Sequence, residues 1–169
     1  IMFLDKYKIS NFEDFCLNKG IIPKINYYFY DNNIFNTVIY GSNDIGKYTI
    51  IKSILEKIFG PTIHLTKKTL FKVVVGTTTK EIKVLSSSFH YELALNNYSY
   101  NDKLSLSAVL CKIAEYININ TMSYNVIVIK NAQYLTNENM CVIKNISEKY
   151  FNNIRFIMTC NSISKISKK

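Results

Sequence analysis

Residues 36–60 constrain the fold more than any other stretch of this chain. A short apolar strand at 36–40 runs into a loop with glycine at both ends and a lysine at its close, and a helix with one apolar face follows. Gly41 and Gly46 let the backbone turn its N–H groups inward around a polyphosphate, while Lys47 and the helix N-terminus add positive charge. This layout predicts a phosphate-binding P-loop.

The loop departs at one position from the P-loop pattern, G-x-x-x-x-G-K-[ST]. Tyr48 stands where a Ser or Thr hydroxyl would hold Mg²⁺. The alternative to a P-loop is a glycine-rich turn before an ordinary core helix, with Lys47 solvated. Because the strand, loop, lysine and helix are all in register, we favour nucleotide binding. The expected nucleotide contacts are Gly41, Ser42, Asn43, Asp44, Ile45, Gly46, Lys47 and Tyr48.

The length and composition fit one globular domain, because the 169 residues are 48% hydrophobic and 20% charged. Nothing resembles a signal peptide and no uncharged apolar run could cross a bilayer, so we expect an intracellular protein without a membrane partner. The net charge is +9, from 21 basic and 12 acidic residues. This balance suggests a polyanionic partner such as nucleic acid, and a solvated lysine-rich surface is the open alternative.

The cysteines and histidines do not form a metal-binding pattern. The four cysteines are far apart, without a C-x-x-C pair, and only two histidines accompany them. His90 falls in a predicted strand and is interpreted as a strand residue with a satisfied ring rather than as a catalyst. We therefore expect no metal site, and we expect reduced, buried thiols at Cys16, Cys111, Cys141 and Cys160.

Around the P-loop, apolar runs alternate with segments of helical periodicity. The stretches with strand or hairpin character are 70–75, 81–85, 90–95, 124–129 and 154–160. The predicted helices are a short one within 4–18 that Ser10 or Asn11 could cap, one starting near Pro23, one from Asn101-Asp102 to 118, and one starting at Thr136 with Met140, Ile143, Ser147 and Tyr150 along one side. Strands separated by helices predict an α/β fold with a largely parallel sheet and ligands at the carboxyl ends of the strands.

In this order the motifs resemble the AAA+ ATPase domain of the small subunits of replication factor C, the sliding-clamp loader. The residues that carry the resemblance are 4–8, like the family's W-x-x-K-Y-R-P opening, the P-loop, 88–93, Asn101-Asp102-Lys103, Leu135-Thr136 and 148–162. The likeness covers nearly the whole chain. It is nearest to the small subunit whose ATP site is degenerate and which carries a β-hairpin after the P-loop helix, a hairpin that residues 71–85 match.

The resemblance implies a RecA-like AAA+ nucleotide-binding domain at 1–169. Residues 1–35 would be lead-in helices and 36–169 the P-loop core, with the lid and collar domains outside this chain. The family's site residues then fall on Tyr7 and Lys8 beside the adenine, Lys47 on the β- and γ-phosphates, Asn161 near the γ-phosphate, and Lys103 on a DNA backbone phosphate. Without the resemblance, the sequence favours a Lys103 that is exposed to solvent and contacts no anion.

The chain departs from the family after the strand at 126–129. There the family places acids that hold the Mg²⁺ shell and deprotonate the attacking water, whereas this chain has Lys130 and Asn131. Neither can act as a general base, so the resemblance implies a degenerate Walker B motif. Two alternatives stay open for Lys130. Its ammonium replaces part of the charge of Mg²⁺, so that ATP or ADP binds without the metal, or it points to solvent.

These features predict a non-catalytic or weakly catalytic subunit of a sliding-clamp loader. It would bind nucleotide structurally and help to hold the sliding clamp and primer–template DNA together with other loader subunits, in the nucleus or another DNA replication compartment. Two further readings stay open. One is an active ATPase whose carboxylate comes from elsewhere, such as Glu92 or a neighbouring subunit. The other is a scaffold that binds no nucleotide because Tyr48 fills the pocket.

Overall fold

The computed structural model describes residues 20–29, 33–75, 77–94, 102–116 and 124–167. The helix predicted at 4–18, together with Tyr7, Lys8 and Cys16, lies outside the described residues. The described α-helices are α1 (Ile21–Tyr28), α2 (Lys47–Phe59), α3 (Lys103–Glu115), α4 (Asn137–Lys149) and α5 (Ser164–Ser167). The described strands are β1 (Thr37–Tyr40), β2 (Lys67–Val75), β3 (Thr78–Ser86), β4 (His90–Ala94), β5 (Asn125–Lys130) and β6 (Ile154–Cys160).

The strands form one six-stranded sheet in the order β1-β6-β5-β4-β3-β2. The pairs β1·β6, β5·β6 and β4·β5 are parallel, and the hairpin β2–β3 joins β4 in an antiparallel arrangement. The predicted α/β fold with a largely parallel sheet and an inserted β-hairpin is therefore confirmed. The hairpin is longer than predicted, because backbone pairing continues through the polar residues 67–69 and 78–80.

The sheet is covered on both faces, as the continuous apolar run of β5 predicts. Val126 and Val128 pack in a core cluster with the apolar face of α2, whereas Ile127 and Ile129 belong to the cluster formed with α3 and α4. Because successive strand residues alternate between faces, Lys130 continues the row of Val126 and Val128 towards α2. This alternation determines which helix Lys130 meets.

The starts of α3 and α4 follow the predicted capping signals. The Asp102 carboxylate accepts a hydrogen bond from the Leu104 N–H, and the Thr136 hydroxyl accepts one from the Asn139 N–H. The prediction that Met140, Ile143, Ser147 and Tyr150 lie along one side of α4 agrees with the structure. Ile143 is buried, and Met140 and Tyr150 are partly buried against the core. The helix also buries Asn139, Val142 and Ile146, so its packed face is wider than predicted.

The cysteine prediction holds for one residue of the three that the structure describes. Cys160, at the end of β6, is buried, Cys111 is partly buried, and Cys141 is exposed. Cys141 lies on α4 next to the buried Val142, but on the exposed side of the helix.

Candidate nucleotide site

The predicted P-loop lies at the carboxyl edge of the parallel strands. Gly41 follows β1, and its N–H donates to the Cys160 carbonyl of β6 at 3.2 Å. Gly46 caps α2 with a φ of 83°, a left-handed conformation that favours glycine. Asp44 also has a positive φ, of 58°, which aspartate tolerates better than most residues. The loop thus leads from the sheet edge directly into the N-terminus of a helix.

Lys47 is folded into this loop. Its Nζ donates to the Gly41 carbonyl at 2.8 Å, to the Ser42 carbonyl at 2.5 Å and to the Asn161 Oδ1 at 3.3 Å. The structure therefore brings together the two residues that were expected at the phosphates, Lys47 and Asn161. All three acceptors are neutral oxygens, so a phosphate anion would be a stronger partner for the ammonium.

A cavity of about 430 Å³ opens between the loop and the ends of β5 and β6. Of the predicted loop residues, Gly41, Ser42 and Ile45 do not line it. Tyr48 lines the cavity without filling it, so the scaffold reading based on a filled pocket is not supported. The lining residues are Asn43, Asp44, Gly46, Lys47, Tyr48, Thr49, Lys130, Asn131, Thr159 and Asn161.

Two polar residues that the sequence analysis missed hold the strand ends in place. The Asn131 N–H donates to the Thr159 Oγ1 at 3.1 Å, and the Asn161 N–H donates to the Gln133 Oε1 at 3.3 Å. Thr159 could have been noticed as a polar residue in an apolar strand, two positions before Asn161. Gln133 gives no comparable signal, because it lies in a short 3-10 turn whose direction the sequence does not specify.

Behind the cavity, Tyr48 and Lys130, two of the departures from the family's pattern, meet a buried acid. Glu92 of β4 has a side chain only 2% exposed. The Tyr48 hydroxyl donates to its Oε1 at 2.7 Å, and the Lys130 Nζ lies 2.8 Å from its Oε2. The Lys130 ammonium also lies 3.6 Å from the centroid of the Tyr48 ring, a cation–π contact. Lys130 is therefore an ion-paired residue, and the alternative that it merely points to solvent is wrong.

A second chain of hydrogen bonds supports Glu92 from its own strand. The Ser87 Oγ accepts from the N–H groups of Phe89 and His90, so its hydrogen points to the His90 Nδ1 at 2.6 Å. The other ring nitrogen, Nε2, then carries the proton and donates to the Glu92 Oε1 at 3.1 Å. His90 is fully buried and satisfied at both nitrogens, which confirms its interpretation as a structural strand residue.

These contacts fix the charge state of the cluster. Burial opposes ionisation of Glu92, but the hydrogen bonds from His90, Lys130 and Tyr48 and the charge of Lys130 outweigh it and lower the pKa of Glu92 to about 2. Burial, the hydrogen bond to Glu92 and its negative charge raise the pKa of Tyr48 far above the ordinary value. Glu92 is therefore a weakly basic, hydrogen-bonded carboxylate, and the prediction that it could activate water is wrong for this arrangement.

Comparisons with known proteins agree with the geometry. No protein-family model matches the sequence. A putative replication factor C small subunit of Acanthamoeba polyphaga mimivirus is 26% identical over 98% of this chain and 46% of its own length. Replication factor C subunit 5 of Saccharomyces cerevisiae is 30% identical over 76% of this chain and 39% of its own length, and replication factor C subunit 3 of Arabidopsis thaliana is 26% identical over 99% and 49%.

The chain is similar to replication factor C small subunits over most of its length. The predicted resemblance is confirmed, and the largely parallel sheet with its P-loop is consistent with the AAA+ fold. The chain spans less than half the length of these three replication factor C relatives. In the part of the chain that the structure describes, no helix is long and apolar enough to cross a membrane.

The lining of this cavity does not fit Mg²⁺. Magnesium takes oxygen ligands and is usually held by carboxylates and waters beside the phosphates. Here Tyr48 is already committed to Glu92, and the ammonium of Lys130 cannot ligate a cation. Among the described residues, Asp44 on the P-loop is the only acid that lines the cavity, and no group of three or more His, Cys, Asp or Glu could hold a metal ion.

Lys103, the predicted DNA contact, lies away from this cavity. It is the exposed first residue of α3, immediately after the capping Asp102. The Asp102 carboxylate also pairs with Lys80 of the hairpin at 3.2 Å, which ties the start of α3 to β3. Among the described residues, Lys103 is therefore an exposed residue at a helix N-terminus.

Proposed function

We propose that this chain is the nucleotide-binding domain of a clamp-loader subunit and that it binds ATP or ADP without hydrolysing it by its own residues. One observation carries the proposal: an intact phosphate loop faces a strand end whose side chain is a cation paired to a buried acid. The loop supports binding through backbone N–H groups, the helix N-terminus and Lys47. On the opposite side, the described residues offer neither the base nor the set of metal ligands that hydrolysis requires.

The phosphates would occupy the cavity beside Lys47 and Asn161. On the other side of Lys47 a larger cavity, of about 880 Å³, is lined mainly by apolar residues of α1, β1 and α2. Such a surface suits the flat faces of a purine base. Tyr7 and Lys8 are proposed to lie beside the adenine, in the segment that precedes the described residues.

The similarity to replication factor C small subunits suggests the partners that we propose for this chain. We propose that the chain assembles with other clamp-loader subunits, and that the assembly holds a sliding clamp and primer–template DNA in the nucleus or another DNA replication compartment. Lys103 would contact a DNA backbone phosphate, since it is exposed at a helix N-terminus in a protein with a net charge of +9.

Two binding measurements test this proposal. The full protein, titrated with fluorescent ATP and ADP, is expected to bind both. Absence of binding under all conditions would overturn the nucleotide-binding part. In the assembled complex, Lys103→Ala is expected to weaken DNA binding alike for all sequences and to reduce the salt slope by about 1. Lys144→Ala, at an exposed position of α4, is the matched control, and equal effects of both variants would contradict a specific role for Lys103.

A further inference from the structure

Tyr48, Glu92 and Lys130 form one interlocked unit although they come from three elements. Tyr48 is in the first turn of α2, Glu92 is in the middle of β4, and Lys130 is the last residue of β5. Each oxygen of Glu92 is occupied: Oε1 by Tyr48 and His90, and Oε2 by Lys130. The unit is therefore a satisfied buried network rather than the remains of a lost metal site.

The unit presents its positive end to the nucleotide cavity. Glu92 is 2% exposed and does not line the cavity, whereas Lys130 is 24% exposed and does. An ammonium has three N–H donors. Glu92 takes one and the Tyr48 ring face lies beneath the group, so a third can point into the cavity. The pair as a whole is neutral, but its orientation places the cation towards the cavity.

We propose that the Lys130 ammonium, positioned by Glu92 and Tyr48, takes the electrostatic place of Mg²⁺, so that this site binds a nucleoside di- or triphosphate as the metal-free anion. This inference rests on the nucleotide binding proposed above. Lys47 and Lys130 would then approach the polyphosphate from the loop side and the strand side of one cavity. A cation that shares the cavity with Lys130 is repelled by it, which disfavours the magnesium complex.

Glu92 is the positioning residue in this account. A lysine at the end of a strand has a flexible side chain that loses much conformational freedom when it is fixed. The bond to Glu92 and the contact with the Tyr48 ring supply that fixation before nucleotide arrives. The phosphate then meets an oriented donor rather than a mobile one, which favours affinity.

The test compares nucleotide affinity with and without magnesium. The full protein is titrated with ATP and with ADP, once in excess chelator and once in millimolar Mg²⁺. Because Lys130 repels the metal, the affinity in the chelator is expected to equal or exceed the affinity in Mg²⁺. An affinity more than about tenfold weaker in the chelator would overturn this inference and leave the proposed function standing. No binding in either condition would overturn both.

Variants separate a ligand-binding role from a purely structural one. Lys130→Met is expected to weaken nucleotide binding in the chelator by about tenfold, the loss of one charge-assisted hydrogen bond. Lys130→Asp is expected to make binding depend on Mg²⁺, since it supplies a carboxylate in place of the cation. Lys68→Met, on the exposed hairpin, is the control. Unchanged affinity of folded Lys130→Met would show that the unit is only structural, and the chelator comparison on the unaltered protein decides the question if the variants do not fold.

Discussion

The two sides of the candidate nucleotide cavity differ in which features of a P-loop site they have. On the loop side, the residues from Gly41 to Lys47 keep the geometry of a phosphate site, with Gly46 in the left-handed conformation and Lys47 inside the loop. On the strand side, Lys130 and Tyr48 stand where metal-assisted hydrolysis needs a carboxylate and a hydroxyl. Phosphate binding depends mainly on backbone amides and one lysine, whereas phosphate hydrolysis depends on a few side chains. A site can therefore lack the side chains for hydrolysis and still have a phosphate-binding loop.

The residues of the strand side, Tyr48, Glu92 and Lys130, depend on one another. A buried carboxylate without partners carries a large desolvation penalty, and so does a half-buried ammonium. Removal of Lys130 alone would leave Glu92 with only neutral donors, and removal of Glu92 alone would leave Lys130 beside an aromatic ring. The loop side has no such interdependence, since each N–H group acts through the backbone.

The largest expected effect comes from breaking the buried pair. Glu92→Ala should lower the free energy of unfolding by about 3–5 kcal/mol, because it leaves Lys130 uncompensated and His90 and Tyr48 without their acceptor. Denaturant unfolding of the full protein measures this change. Glu81→Ala, whose exposed carboxylate pairs with Lys72 on the hairpin, is the matched control and should change the stability by less than about 1 kcal/mol. Similar losses for the two variants would contradict the central role of Glu92.

The loop side should respond in binding rather than in stability. Lys47→Met removes a charge-assisted contact with phosphate worth about 1.5–3 kcal/mol, so the nucleotide affinity should fall roughly tenfold to a hundredfold. The variant should remain folded, because within the described ranges the hydrogen bonds of Lys47 are to loop carbonyls and to Asn161. An unchanged affinity, measured by fluorescence titration, would mean that nucleotide does not sit in this loop.

Acid should act on the strand side only. The pKa of Glu92 is lowered from 4.5 to about 2, so its ionised form contributes stability above the ordinary pKa, and this contribution is lost as the pH falls from 4.5 towards 2. The stability advantage of the native protein over Glu92→Gln should therefore shrink across that pH window. A constant difference between the two unfolding free energies in that window would refute the assigned charge state.

Tyr48 should give the smallest effect. Tyr48→Phe removes one hydrogen bond to a charged group and keeps the ring under the Lys130 ammonium, so the expected loss of stability is about 1.5 kcal/mol. Tyr124→Phe offers a comparison, because its hydroxyl accepts from the uncharged Ile34 N–H at 3.0 Å. A loss for Tyr48→Phe that is no larger than the loss for Tyr124→Phe would weaken the case for a charged acceptor.

The sequence was sufficient for the features that depend on local pattern. The glycine and lysine spacing of the P-loop, the apolar run of β5 and the cap at Asp102 each specify local geometry, and the structure contains all three. The packed face of α4 is wider than predicted, because tertiary packing also buries Asn139, Val142 and Ile146 beside Ile143.

The Glu92 unit could not be predicted from spacing. Tyr48 and Glu92 are 44 positions apart in the chain, and their contact depends on how α2 packs against the sheet. From the sequence alone, Glu92 was considered as a carboxylate that could replace the missing base for water activation. Its three partners become visible only when β4, β5 and α2 are assembled.

The central claim is that this cavity binds the polyphosphate of a nucleotide and does not hydrolyse it. Its most direct test is a single-turnover measurement in which the purified full protein, in excess over γ-labelled ATP, is incubated with Mg²⁺ and the released phosphate is followed. We expect the bound ATP to remain intact. Release of phosphate that Lys47→Met abolishes would contradict the account, because it would show that the residues of this chain are sufficient for hydrolysis.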